Sequence, residues 1–163
     1  MYIIMEKERE KMNKKSILLG IVIIVVTCLT TGCIFYNYLE PTDFKEQFSA
    51  RGYTVEKIEK ADYEAKYISK ATKEDVPYEV LYYQFGSEAD AKKAYKSYKE
   101  NLSNIITSDS SDVESKSSVL AKYECKSEKE YIIISRVKDT LIYVSTTVDY
   151  EKEIDDILED IKY

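Results

Sequence analysis

Val119-Leu-Ala-Lys-Tyr-Glu-Cys-Lys126, Tyr131-Ile-Ile-Ile-Ser-Arg-Val137 and Thr140-Leu-Ile-Tyr-Val-Ser-Thr-Thr-Val148 are three β-rich runs separated by short polar turns. In the first run Val119, Ala121, Tyr123 and Cys125 alternate with Lys122, Glu124 and Lys126, the period of two expected of a strand. Ser127–Glu130 and Lys138-Asp139 have the length of hairpin connections, so the runs predict an antiparallel meander. Asp149 then reads as the cap of a closing helix. Tyr150, Ile154, Ile157, Leu158 and Ile161 recur at helical spacing and give that helix one apolar stripe.

The same grammar holds upstream. Tyr78 to Phe85 reads as a strand with Leu81, Tyr83 and Phe85 on one face and Tyr78, Val80 and Tyr82 on the other. Gly86-Ser87 ends it. Ser87 caps the next helix with Asp90 at the third position. Ala91, Ala94, Tyr95, Tyr98, Leu102 and Ile105 form that helix's apolar face, and Lys92, Lys93, Lys96 and Lys99 take the wet side. Earlier still, Tyr53–Ile58 and Tyr63–Ala71 alternate as strands. A short helix over 43–51 opens the domain, with Asp43 as N-cap, Glu46 three residues on and Gly52 as its left-handed terminator. Thr107–Ser118 is polar throughout and reads as a mobile connection. The order αβββα-βββα predicts an α+β fold, an antiparallel sheet of about six strands covered by helices on one face.

Ahead of this domain lies Ser16 to Leu39, an uncharged apolar stretch preceded by Lys11, Lys14 and Lys15. A cationic flank before an apolar run marks an export signal or the cytoplasmic side of a membrane helix. Ile17–Leu29 is about 20 Å long as a helix, the length of a signal core; extension to Leu39 gives about 36 Å, enough to span. Residues 1–39 are therefore a signal peptide or hydrophobic anchor helix, and 40–163 an extracytoplasmic domain at the cell membrane. Met1, Met5 and Met12 are all candidate starts. Leu29-Thr-Thr-Gly-Cys33 resembles the lipobox of bacterial lipoproteins, which implies a diacylglyceryl group on the Cys33 thiol and cleavage before it. Thr30 departs from the aliphatic residue usual in that family, and Ile34–Leu39 is more apolar than a usual tether. Tyr83-Gln-Phe85, followed by Gly86-Ser87-Glu88-Ala89 and Ala91 to Tyr95, resembles a strand-to-helix junction of small lipoproteins of Gram-positive bacteria. It implies no activity.

Charge and composition narrow the function. The chain carries a net charge of −6: +2 before the apolar stretch and −8 from Glu40 on. An acidic domain does not suit nucleic acid, which needs a concentrated basic face. With no His there is no His-based triad or His metal ligand. Cys125 falls on an inward register and reads as a buried structural thiol. Asp109, Asp112 and Glu114 lack calcium-loop spacing and read as solvated linker; Asp155, Asp156, Glu159 and Asp160 read as a wet helix face. No metal or cofactor is expected.

Sixteen tyrosines are the remaining surplus. Tyr78 and Tyr82 share a strand face, and on an open face such rings stack on sugar or grip peptide. The sequence thus predicts a non-catalytic binding or accessory module, held by membrane lipid through its anchor and contacting an envelope protein, peptide or glycan. Its alternatives are a structural subunit packed on another membrane protein and a carboxylate-based glycan hydrolase.

Overall fold

The computed structural model describes residues 38–59, 64–103 and 110–163. The apolar stretch up to Asn37, Cys33 included, lies outside the described residues, as do Asp109 and Ile105. Among the described residues no helix is long and apolar enough to cross a membrane.

The domain opens with α1 (Pro41–Ser49). Its start differs from the sequence expectation: Asp43 is the third helical residue, not the cap. Pro41 occupies the first turn, where its fixed φ and missing N–H cost nothing. Asp43 folds back to accept the Glu40 backbone N–H at 3.2 Å. Gly52 ends the segment at φ +83°, as expected. Three strands follow, β1 (Thr54–Lys57), β2 (Ala65–Thr72) and β3 (Glu79–Phe85). Then comes α2 (Glu88–Ser103), whose Ser87 accepts the Asp90 backbone N–H at 3.2 Å and donates its hydroxyl to the Asp90 carboxylate at 2.7 Å.

The second half has four strands rather than three: β4 (Ser111–Lys116), β5 (Leu120–Lys126), β6 (Glu130–Val137) and β7 (Thr140–Thr147). Half of the connection expected over Thr107–Ser118 is therefore β4, an edge strand paired to β5 from Ser111↔Lys126 to Lys116↔Ala121. A 3-10 turn, Val148–Tyr150, precedes α3 (Glu151–Asp160). Asp149 lies inside that turn and does not cap α3. The result is an α+β domain with one seven-stranded antiparallel sheet, ordered β1-β2-β3-β7-β6-β5-β4.

Helices cover both faces, which corrects the one-face expectation. On the first face Phe44 and Phe48 of α1 and Ile154, Ile157 and Leu158 of α3 pack over Val80, Tyr82, Ile133, Ile142 and Val144. On the second, Ala91, Ala94, Tyr95 and Leu102 of α2 cover Tyr83, Phe85, Tyr123, Ile132, Ile134 and Leu141. The central strands explain this: β3 and β6 are apolar at successive positions, the signature of a strand buried on both sides. Cys125 is a free, buried thiol on the second face, as expected; burial pushes its pKa up.

Candidate functional site

The sequence-selected tyrosines are core residues, because the face they share lies beneath α1 and α3. Tyr82 is fully buried, stacked on Phe44 at 4.8 Å between centroids. Its hydroxyl donates to the Leu39 carbonyl at 2.6 Å. Leu39 is itself buried in the first core, so the end of the apolar stretch is fastened to the sheet. Gln84 adds to this clasp by donating to the Tyr38 hydroxyl at 2.7 Å. Tyr78 is buried too, its hydroxyl bonded to that of Tyr53. Burial pushes both Tyr78 and Tyr82 well above the ordinary phenol pKa. Neither ring is free to stack on a ligand.

Tyr53 also donates to Glu153 at 3.2 Å, at the edge of an open groove of about 510 Å³ between the end of α1 and α3. Three carboxylates line this groove, and each has a donor: Glu153 has Tyr53, Asp160 has Arg51 at 3.2 Å, and Asp156 has Lys152.

The second face holds a different arrangement. Lys92, Tyr95, Lys96 and Lys99 fall at i, i+3, i+4 and i+7 of α2 and so line one side of the helix. They border a cavity of about 290 Å³, with Lys116 and Ser117 at the end of β4, Ala121 of β5 and Arg136 of β6 completing its wall. Five cations meet one carboxylate, Glu114. Counting Glu88, which pairs with Lys92 at 2.8 Å, and Glu100, which pairs with Lys96 at 3.5 Å, the cluster keeps an excess of two positive charges.

Glu114 ties the two sides together. It accepts from Lys99 at 2.6 Å, Lys116 at 2.7 Å and Tyr95 at 2.9 Å. Burial alone raises its pKa, but the bonds from Lys116, Lys99 and Tyr95 outweigh it and hold the carboxyl at about 2. Lys99 also sits over the Tyr123 ring at 4.9 Å, and burial pushes that phenol up to about 12. Glu114 is thus an anion at neutral pH, engaged by two lysines and a tyrosine on a strand rather than lying in the solvated linker expected for it. Among the described residues no His, Cys, Asp and Glu gather as a metal would need.

Arg136 is the unusual member. Its side chain is only 3% exposed. Nη1 donates to the Lys138 carbonyl at 2.9 Å and the Val119 carbonyl at 3.4 Å, and lies 3.6 Å from Glu88. Nε is buried and has no hydrogen-bond partner among the described residues. An unmade bond of this kind costs about 1–3 kcal/mol. The carbonyls of two turns hold one prong of the guanidinium fork, and Nε is left without a bond.

Sequence reasoning had placed the lysines on a wet helix face and had not singled out Arg136. The signal was present: one Arg among the apolar residues of Tyr131–Val137, since a charged side chain is rarely buried without a reason. What the sequence lacked was β4, which brings Glu114 and Lys116 opposite α2.

No protein-family model matches the chain, and no curated protein is similar to it. Among solved structures, one titled a GTP binding regulator from Thermotoga maritima is similar at 21% identity and a TM-score of 0.46, covering 72% of this chain and 86% of that one. A likeness of that order assigns neither activity nor ligand.

Proposed function

We propose that this chain is a membrane-tethered, extracytoplasmic, non-catalytic module that binds an envelope component in the cationic cleft beside α2. The observation that carries this reading is the cleft itself: an excess of positive charge and a buried, incompletely bonded Arg136, in a domain whose net charge is negative. Concentrated charge of one sign on an oppositely charged body is a recognition device, since it raises the local concentration of a complementary ligand. The apolar stretch with its Lys flank supports the tether, and Cys33 is the candidate lipid attachment. The structural-subunit reading wanted an uncovered sheet face, and helices lie on both. The hydrolase reading wanted two acidic side chains in one cleft, and those of the groove beside α3 are each held by a neighbouring donor.

Isolated cell envelopes sedimented with the full chain in neutral detergent test the site. Joint charge reversal, Lys92→Glu with Lys96→Glu, is expected to remove co-sedimentation. The same reversal at exposed, distant Lys45 and Lys129 is expected to leave it intact. Equal binding by both variants would sink the cleft as the recognition site.

A further inference from the structure

We propose that the cleft takes a phosphate group, free or esterified to a small polar carrier, with Arg136 as its central contact and Lys92 and Lys116 at its flanks. The proposal rests on the cleft being the binding site and adds the chemical class of what it binds.

Three observations carry it. The first is the guanidinium. Arg binds phosphate with two parallel N–H bonds from one edge of its fork, and both bonds of Arg136 to described residues come from Nη1, leaving Nε without a partner. The Val119 and Lys138 carbonyls fix the group before any ligand arrives, so little ordering remains to oppose binding. The second is charge. An excess of two positive charges matches a phosphate dianion, whereas a single carboxylate would leave the cleft half neutralised. The third is size. A cavity of about 290 Å³ lies at the lower edge of the ~300–1,000 Å³ of small-molecule sites, which suits a phosphate with a small polyol and not a bulky aromatic carrier. Glu114 fits as the resident counter-ion. It holds Lys99 and Lys116 in place while the cleft is empty, and Lys116, the more exposed of the two, is free to turn from it to an incoming anion.

The test uses the ¹⁵N-labelled full chain in neutral-detergent micelles. It is titrated with sodium phosphate and with glycerol 1-phosphate against sodium chloride at matched ionic strength. It is also placed in nanodiscs of phosphatidylglycerol and of phosphatidylcholine. The expected result is a saturable amide shift confined to Ser117, Ala121 and the Arg136–Lys138 corner. Arg136→Lys is expected to weaken it by about tenfold or more, because an ammonium cannot make the paired bonds. The double variant Lys92→Gln, Lys116→Gln alters only exposed side chains and keeps the test valid if Arg136→Lys does not fold; it too is expected to weaken the response. Saturation by the soluble phosphates identifies a free or polyol phosphate. A response confined to phosphatidylglycerol nanodiscs identifies a lipid headgroup. Shifts equalled by chloride, unchanged in the double variant, or absent with every phosphate would overturn the proposal. Envelope binding that depends on Lys92 and Lys96 would still stand in that case, leaving the tethered-module reading intact.

Discussion

Gly52 holds φ at +83° with its nearest non-neighbour atom, Lys73 Cε, 3.9 Å from where a Cβ would sit. There is room for a methyl group, so the cost of Gly52→Ala is backbone strain alone. Urea unfolding is expected to show a loss of about 1 kcal/mol; an unchanged midpoint would mean that the loop relaxes freely. Glu114 gives a pH-dependent counterpart. Its carboxyl sits at about 2 in the fold against an ordinary 4.5. The lowered value means that the ionised form is favoured by folding, so its contribution is complete above about 4.5 and is lost as pH falls toward 2. The stability gap between the native chain and Glu114→Gln should therefore be widest at neutral pH and close across that window. A gap constant from pH 6 to 2.5 would rule out the ion-paired carboxylate. At this scale the sequence was legible where a residue acts on its neighbours. Gly52 and the Ser87–Asp90 cap were readable because partners lie within three residues. Glu114 was not, because Lys99 is fifteen positions away and reaches it only after a helix and a strand have packed.

The elements obey the same division. Strands with a clean period of two were readable from their side chains, and α2 and α3 from their stripes. β4 was not, because Ser111-Asp-Val-Glu-Ser-Lys116 offers one apolar residue, Val113, which is 64% exposed. Backbone pairing to β5 and the ties of Glu114 hold it, and neither leaves an apolar pattern. Which sheet face each helix covers was equally hidden, since β3 and β6 present apolar residues to both. The structure predicts that α1 is fixed mainly by its two rings: Phe44, fully buried against Phe48 and Tyr82, should cost about 3–5 kcal/mol on replacement by Ala, measured by denaturant unfolding. A loss below ~1 kcal/mol would mean that α1 is not part of the cooperative fold. The clasp gives a gentler test. Tyr82→Phe removes only the hydroxyl that holds the Leu39 carbonyl, so stability should fall by about 1 kcal/mol while amide exchange at residues 38–40 quickens. Unaltered exchange there would place the hold on Leu39 in apolar packing alone.

For the whole molecule, two asymmetries define the account. The domain is acidic overall, yet its second face carries a cationic cleft built from a helix, an edge strand and a buried arginine. The chain also begins with a cationic flank and a long uncharged segment, and the residue that closes this segment, Leu39, is locked into the domain core. The tyrosine face that the sequence offered as a binding surface is core, and the lysines that it offered as mere solvated surface line the cleft proposed as the site. Composition alone cannot separate these two outcomes, because Tyr suits a half-buried strand as well as an interface, and lysines gain meaning only from what is placed opposite them. The central claim, that a tether keeps this domain outside the cytoplasm, is tested most directly by a membrane-impermeant amine reagent on intact cells, followed by peptide mass mapping. Lys93, Lys96 and Lys152, each more than 75% exposed, are predicted to be labelled while a cytoplasmic control protein is not. Protection of all three until the cells are lysed would contradict it.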